Sequence, residues 1–253
     1  MNPSEKLVHL QGICKSFGSV HANKDVDLSV RRGSIHALVG ENGAGKTTLM
    51  KILFGLEQKD AGEIWYDGRK VEINSPQQAM RLGIGMVHQH FMQVPSLTVA
   101  ENVILGQEPR QGLRLDLSAA RRLVREVSTR YGLVVEPDAR VRDLPVGIQQ
   151  RVEIIKALSQ GTELLILDEP TAVLTPQETE ELFQVLRGMG RQGKTIIFIS
   201  HKLKEVLNIS DSITIMRTGQ VVANLETATT CEEEIARLMV GRPVLLQVDK
   251  EQA

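Results

Sequence analysis

Gly40-Glu41-Asn42-Gly43-Ala44-Gly45-Lys46-Thr47 matches the pattern GxxxxGK[ST], which is typical of loops that bind phosphate groups. An apolar strand, Ser34–Val39, runs directly into this stretch, and apolar residues at helical spacing follow it as far as Gly55. The glycines allow backbone amides to curl around phosphate oxygens, and the dipole of the following helix favours an anion at the same place. A chance match occurs in roughly one chain in a hundred, and the strand before it and the helix after it make chance a poor explanation. In such a loop Lys46 reaches the β- and γ-phosphates and Thr47 ligates Mg²⁺.

Two adjacent carboxylates end a second apolar strand, Leu164–Leu167. Taken alone, Asp168 and Glu169 are also compatible with an acid pair that a helix N-terminus stabilises through its dipole. Beside a phosphate loop the favoured interpretation is different: the first acid holds Mg²⁺ through water, and Glu169 polarises the water that attacks the γ-phosphate.

The hydrophobic pattern predicts an α/β fold with a mainly parallel sheet that is covered on both faces. Near the N-terminus, Leu7–Ile13 and Val26–Val30 alternate apolar and polar residues, as half-buried strands do, and Asp67-Gly68 predicts a tight hairpin turn. From about 91 to 160 the pattern changes to loop and helix, including an apolar stripe after Gly147, which indicates a helical insertion. In the last third, buried strands alternate with helices, a helix start is predicted at Thr175-Pro176-Gln177-Glu178, and a hairpin is predicted around Thr218-Gly219.

Composition excludes several classes of protein. The 253 residues are 42% hydrophobic, with 30 basic and 31 acidic side chains and a net charge of −1, so an electrostatic nucleic-acid binder is not indicated. Aromatic residues make up only 3%, too few for a base-stacking platform. Cys14 and Cys231 form no metal-binding or disulfide pattern.

No apolar run approaches the roughly 20 residues of a membrane span, and no signal peptide is evident. We therefore expect a soluble, cytoplasmic chain whose membrane role, if any, comes through a partner.

Three further residues mean little alone but form a pattern with the motifs above. Phe17 precedes Gly18 in a predicted loop, Gln89 follows a short strand, and His201 ends the strand at 195–200. In this order the sequence resembles the nucleotide-binding domain of ATP-binding-cassette (ABC) transporters over almost its whole length. That family places an adenine-stacking aromatic, a Q-loop glutamine and a switch histidine at these positions, and its signature region at Leu144–Arg151.

The resemblance implies a P-loop NTPase (RecA-like) core with an antiparallel β subdomain and a helical insertion, and it implies ATP and Mg²⁺ as cofactors. It assigns catalysis to Glu169, His201, Gln89 and Lys46. It assigns nucleotide contacts to Phe17, Gly40, Glu41, Asn42, Gly43, Ala44, Gly45, Lys46, Thr47, Thr48, Gln89, Pro145, Val146 and Gly147. It assigns Mg²⁺ to Thr47, Gln89 and Asp168. It also implies that the whole chain, 1–253, is one ABC domain, with 1–90 and 161–253 as the core and β subdomain and 91–160 as the helical subdomain.

More narrowly, His88–Met92, Pro95–Asn102 and Glu169–Glu178 resemble the ATPases of simple-sugar and nucleoside importers. Those proteins usually carry two such domains in tandem, and Met239-Val240-Gly241-Arg242 resembles the end of their first domain, so the chain resembles a first half. The resemblance implies transmembrane permease subunits as partners, a second cassette (fused or an identical copy) that completes an ATP sandwich, and a peripheral position at the cytoplasmic face of the membrane. The transported molecule is not encoded in these residues.

The signature region departs from the family pattern LSGGQ. Pro145 replaces its serine, Val146 its first glycine and Ile148 its glutamine, while Thr175 stands where the family often has aspartate. These changes put the contact with a partner's ATP in question, although the local set of catalytic side chains is complete. The alternatives are a soluble ABC-type ATPase, which a nearly neutral chain without sustained heptads disfavours, and a non-hydrolysing binding module, which Glu169 disfavours. Kinases and GTPases that share the loop do not account for Gln89, the signature region and His201 together.

An apolar stretch directly after Gln89 invites two interpretations. Phe91, Met92, Val94 and Leu97 either pack inside the helical lobe or help to form a groove for a helix of the permease.

Overall fold

The computed structural model describes residues 6–89, 91–111 and 114–241. Its strands are β1 (Lys6–Phe17), β2 (Val20–Arg31), β3 (Ile35–Val39), β4 (Ala61–Tyr66), β5 (Arg69–Val71), β6 (Ile84–Val87), β7 (Arg110–Gln111), β8 (Arg114–Leu115), β9 (Leu164–Asp168), β10 (Thr195–Ile199), β11 (Ser212–Arg217) and β12 (Gln220–Glu226). Its α-helices are α1 (Lys46–Leu53), α2 (Pro76–Arg81), α3 (Val99–Ile104), α4 (Leu117–Tyr131), α5 (Val146–Ser159), α6 (Pro176–Arg191), α7 (Leu203–Ile209) and α8 (Glu232–Val240). His90 and Arg242, which belong to motifs quoted above, lie outside the described residues.

The central sheet has the strand order β12-β11-β3-β10-β9-β6. Neighbouring strands from β11 to β6 are parallel, and only β12 pairs antiparallel, with β11. The strands β3, β9 and β10 are buried along their whole length, which explains why their sequences are continuous apolar runs. The predicted parallel sheet is therefore confirmed, including the terminal hairpin at Thr218-Gly219.

Both faces of this sheet are covered, and the side chains alternate between two cores. In β10, Ile196 and Phe198 belong to the core beneath α3–α8, whereas Ile197 and Ile199 belong to the core shared with α1, α2 and the antiparallel sheet. This alternation is the two-residue period of a strand. The central sheet thus holds together the helical side and the β side of the molecule.

The antiparallel sheet, in the order β2-β1-β4-β5, is larger than the sequence predicted. The turn at Asp67-Gly68 is confirmed, with φ of 50° and 72° at its two residues. However, β1 and β2 extend well beyond the predicted segments as an exposed ribbon. Register shifts within this ribbon break the apolar–polar alternation, which hid its length. Phe17, predicted to lie in a loop, is the last residue of β1 and pairs with Val20.

The segment between β6 and β9 is mainly helical, as predicted, with α3, α4 and α5 and a small hairpin of β7 and β8. Its buried residues join the same core cluster as those of the helices that cover the central sheet. The sequence pattern underestimated the buried surface of α5. Ile154 and Ala157 are also buried, together with the polar Gln150 and Glu153. The reason is that α5 is enclosed on several sides, so a single stripe underestimates its contacts.

The start of α6 follows the predicted capping pattern. The Thr175 hydroxyl accepts a hydrogen bond from the Glu178 N–H at 3.3 Å, and the Glu178 carboxylate accepts one from the Thr175 N–H at 2.9 Å. Within the described ranges, no helix is both long enough and apolar enough to cross a bilayer.

Candidate active site

The predicted site residues follow the carboxyl ends of neighbouring parallel strands. Strand β3 leads into Gly40, β6 leads to Gln89, β9 ends in Asp168, and β10 leads to His201. Parallel strands place all their carboxyl ends at one edge of the sheet, where α/β proteins bind their ligands. The sheet order therefore brings together groups that are far apart in sequence.

A cleft of about 520 Å³ opens at this edge between the phosphate loop and the tip of the β1–β2 ribbon. It is lined by Phe17, Val20, His21, Ala22, Asn42, Gly43, Ala44, Gly45, Lys46, Thr47, Thr48, Gln89 and Glu169. Most of the predicted nucleotide-binding residues thus share one cavity. The sequence analysis missed Val20, His21 and Ala22, because no motif marks the ribbon.

The phosphate loop requires glycine at position 45 for two reasons. Its φ of 98° is disfavoured for other residues, and a Cβ there would lie 2.3 Å from the Ala22 carbonyl oxygen. The Asn23 side-chain amide donates to the Gly45 carbonyl at 3.2 Å. Asn23 is fully buried in β2 and was also missed by the sequence analysis, since its role depends on a contact across 22 residues of chain.

Lys46 is buried beneath the loop that precedes it. Its ammonium group donates to the carbonyl oxygens of Gly40 at 2.7 Å and Glu41 at 3.0 Å. Burial lowers the pKa of Lys46, and the negative charges of Glu169 and Asp168 partly oppose this effect. An anion in the cleft would stabilise the charged ammonium, so the residue is suited to meet phosphate oxygens.

Asp168 and Thr47 bring two oxygen groups together at the floor of the site. The Thr47 hydroxyl donates to Asp168 Oδ1 at 3.3 Å. Asp168 is 4% exposed, and burial raises its pKa, with the hydrogen bond from Thr47 acting in the opposite direction. Among the residues that the structure describes, no counter-charge is in hydrogen-bond contact with this carboxylate, so a bound cation would stabilise it.

Glu169 lies between two of the other predicted residues. One carboxylate oxygen is 3.1 Å from His201 Nδ1, and the other accepts a hydrogen bond from Gln89 Nε2 at 3.5 Å. Its backbone has a φ of 49°, in the left-handed region, and its N–H donates to the Ile199 carbonyl at 3.0 Å. Non-glycine residues in this region carry strain that surrounding contacts must maintain, and such positions cluster at functional sites.

Phe17 is 47% exposed and lines the cleft at the end of the ribbon. The ammonium group of Lys15 lies 5.2 Å from the centre of its ring. An exposed aromatic ring beside a phosphate loop is available for stacking with a base.

The structure does not bring Pro145, Val146 and Gly147 into this cleft. Pro145 caps the N-terminus of α5, where it and Val146 are exposed. Gly147 is covered by Glu178, since a Cβ at Gly147 would lie 2.4 Å from Glu178 Oε1. Thr175 also makes its contact within this chain, since its hydroxyl donates to the Glu178 carboxylate at 2.9 Å.

The loop after Glu169 is held by residues that no motif singled out. The Lys202 ammonium group donates to the Thr171 carbonyl oxygen at 2.8 Å and lies 3.1 Å from the Glu205 carboxylate, which in turn accepts from the Thr171 hydroxyl. Thr171 itself is 1% exposed. These contacts connect α7 to the segment that carries Glu169.

A buried lysine in a glycine loop, a neighbouring carboxylate–hydroxyl pair and a parallel sheet define a P-loop NTPase fold. Residues 23–172, more than half of the chain, match the family model described as ABC transporter, and the chain belongs to this family. A solved ATP-binding cassette of an ABC transporter, MJ1267 in its ADP conformation, matches with a TM-score of 0.80 and 25% identity, covering 93% of this chain and 95% of that one.

Curated relatives are similar over nearly the whole chain. The nucleoside import ATP-binding protein NupA of Lactococcus lactis subsp. cremoris (strain MG1363) is 49% identical over 247 residues, which cover 98% of this chain and 49% of NupA. The guanosine import ATP-binding protein NupO of Bacillus subtilis (strain 168) is 50% identical over 249 residues, with the same coverage. The chain therefore spans about half the length of the curated relatives it matches.

The buried charge of Asp168 predicts a gain in stability on its removal. Since folding raises the pKa of this carboxyl, the ionised form destabilises the fold at pH values above that pKa, and the penalty disappears as pH falls and the group is protonated. Asp168→Asn keeps an oxygen for the Thr47 hydroxyl and should raise the free energy of unfolding of the nucleotide-free chain by about 1 kcal/mol at neutral pH. Urea denaturation at several pH values measures this, and a difference that does not shrink toward acidic pH would contradict the assignment.

Proposed function

We propose that this chain is the ATP-hydrolysing cassette of an importer that takes up a small solute, a simple sugar or nucleoside, through a partner permease. The observation that carries the proposal is the position of the Glu169 carboxylate between Gln89 and His201, at the rim of a cleft that also holds Lys46. Relatives whose names specify nucleoside, guanosine and glucose import support the solute class.

The residues of the cleft fit ATP with Mg²⁺. The cleft combines a glycine loop and a buried ammonium group with an exposed aromatic ring, which suits a polyphosphate at one end and a base at the other. Thr47 and Asp168 offer the hard oxygen ligands that Mg²⁺ prefers, and Gln89, which lines the same cleft as Thr47, is the further candidate ligand. Among the described residues, no group of three or more His, Cys, Asp or Glu side chains is placed to hold a metal, which agrees with an ion that is bound largely through phosphate and water.

Each side chain has a role in this proposal. Lys46 neutralises charge on the β- and γ-phosphates, and bound Mg²⁺ supplies further neutralisation of the same charge. Glu169 accepts the proton of the attacking water as a general base. His201 and Gln89, through their contacts with its two oxygens, orient that carboxylate. Hydrolysis in such a site depends mainly on positioning and charge.

A second cassette would complete the ATP sandwich. The family resemblance assigns Pro145, Val146 and Gly147 to the nucleotide, yet in this chain they lie away from its own cleft, as expected for residues that meet a partner's nucleotide. Val146 and Val173 are 42% and 59% exposed and offer apolar surface for such a partner. The chain matches about half the length of these relatives, and this favours a covalently attached second cassette over an identical copy.

The permease would contact the segment that follows Gln89. Met92 and Val94 are 64% and 37% exposed, whereas Phe91 and Leu97 are half-buried. The first two residues support a docking surface, and the other two support packing within the helical lobe. Through such a contact the chain would be held peripherally at the cytoplasmic face of the membrane.

The role of Glu169 predicts a separation of binding from turnover. Glu169→Gln should leave ATP affinity close to that of the parent and reduce kcat by about 10²–10⁴. Lys46→Ala should instead weaken ATP binding, because it removes the charge that faces the phosphates. Phosphate release and equilibrium nucleotide binding measure the two effects, and Glu169→Gln with parental turnover would refute the assignment of the general base.

The exposure of Met92 predicts an uncoupled variant. In vesicles that contain the assembled importer, Met92→Asp should abolish solute uptake while the basal ATPase activity of the isolated chain is retained, because a charge is placed on the docking surface alone. Leu56→Asp, the same change at another exposed apolar residue, is the matched control and should leave uptake intact. Loss of ATPase activity together with uptake would show that Met92 supports the fold.

Pro145 predicts weak pairing of two identical chains. Proline lacks both a hydroxyl and a backbone N–H for a phosphate of the partner's ATP, and one hydrogen bond to a charged group is worth about 1.5–3 kcal/mol. In the Glu169→Gln background with MgATP, Pro145→Ser should tighten the dimer by roughly tenfold, as measured by sedimentation. Equal dimer fractions with and without the serine would show that backbone amides of α5 suffice.

A further inference from the structure

A buried carboxylate that the proposed chemistry does not use lies on α5. Glu153 is 6% exposed, and burial raises its pKa. Within the described part of the chain no ion pair reaches it; the positive charge of Lys156 only moderates the effect of burial. A buried charge without a close counter-charge is costly, and an apolar residue of similar size is often as good or better for stability. Packing alone therefore does not account for glutamate at this position.

The partners of Glu153 come from the segment just after Gln89. The Met92 N–H donates to Glu153 Oε1 at 3.0 Å, and this bond and the nearby Gln93 side chain both act to lower the pKa of the carboxyl, against the effect of burial. Gln93 Nε2 donates in addition to the Gln149 carbonyl oxygen on α5 at 2.7 Å. Two successive residues, Met92 and Gln93, are thus attached to α5 through polar contacts.

The next residue is attached to a different helix. The Val94 N–H donates to Asn102 Oδ1 at 2.8 Å, and Asn102 Nδ2 donates to the Val94 carbonyl at 3.1 Å. Asn102 is fully buried in α3. The segment 92–94 is therefore held between α3 and α5. On the α5 side, the carboxylate of Glu153 holds Met92, and the Gln149 carbonyl oxygen holds the Gln93 side chain.

We propose that Glu153 is a positioning residue that couples the segment carrying Gln89 to α5, so that movement of Gln89 on nucleotide binding displaces the exposed N-terminus of α5 at Pro145–Gly147. Met92 lies three residues after Gln89, and Gln89 contacts Glu169 directly. At the other end, Glu153 lies about two turns along the same helix from Pro145, so the two residues belong to one continuous element. The inference rests on the proposed function, because it requires nucleotide in the cleft.

The test separates coupling from folding with three variants. Glu153→Leu removes the acceptor for the Met92 N–H without leaving a buried charge, Glu153→Gln keeps an acceptor oxygen, and Glu126→Leu is a matched change at an exposed position of α4. For each chain we would measure the melting temperature, KM and kcat for ATP, and amide hydrogen exchange of segments 40–48 and 146–152 with and without MgATP.

The proposal expects Glu153→Leu to melt at or above the temperature of the parent and to keep the parental KM and the parental protection of segment 40–48. Its kcat should fall by about tenfold, the factor that corresponds to one hydrogen bond to a charged group, and the response of segment 146–152 to MgATP should disappear. Glu153→Gln should restore most of both properties, and Glu126→Leu should match the parent.

Two results would overturn this proposal while leaving the proposed function intact. A parental response of segment 146–152 in Glu153→Leu would show that the coupling does not pass through this carboxylate. A lower melting temperature together with a raised KM would show that Glu153 only supports the fold. A parent chain in which MgATP protects neither segment would instead refute the proposed function, and the inference with it.

Discussion

The parallel pairing of β10 with β3 on one side and β9 on the other is the constraint on which the site depends. In this register Ile199 lies beside both Leu38 and Asp168, so the three strands end level with one another. The phosphate loop, the carboxylates and the histidine follow these ends directly. A shift of one strand by a single residue would turn its side chains to the opposite face and would move Asp168 away from Thr47.

The same sheet explains why the helical segment is part of the molecule's main core and not an appendage. Residues of α3, α4 and α5 share a continuous apolar cluster with the helices that cover the sheet. Polar contacts also hold this segment near its beginning, at Glu153, and where α5 meets α6, at the ion pair of Arg151 with Glu181. Packed helices can slide past one another by small amounts where their contacts are apolar. These polar contacts, in contrast, fix how the helices are connected to the edge of the sheet where the cleft opens.

Contacts within this chain constrain part of the signature region. Glu178 completes the capping of α6 and also lies against Gly147, and the N–H groups of Thr175 and Gly147 help to hold its pKa below the usual range. Glycine is needed at 147 within this chain, whatever its role toward a partner. Thr175 likewise serves the local helix start. The region that would meet a second cassette is thus shaped first by contacts inside this one.

The sequence by itself determined the features that depend on near neighbours. The phosphate loop with its strand and helix, the Asp67-Gly68 turn and the Thr175–Glu178 cap were all predictable, because each is specified by residues a few positions apart. The parallel sheet followed from the alternation of buried strands with helices. Motifs also named most of the residues that line the cleft.

Only the tertiary structure decided the rest. Three features depend on contacts between residues that are 22 to 61 positions apart. They are the ribbon that places Phe17 beside the phosphate loop, the hydrogen bond from Asn23 to the Gly45 carbonyl, and the hydrogen bond from Met92 to Glu153. Register shifts obscured the ribbon in the sequence pattern. A buried glutamate such as Glu153 cannot be distinguished by sequence pattern from an exposed glutamate on a helix. Such contacts depend on which elements the sheet brings together, and no local pattern records that.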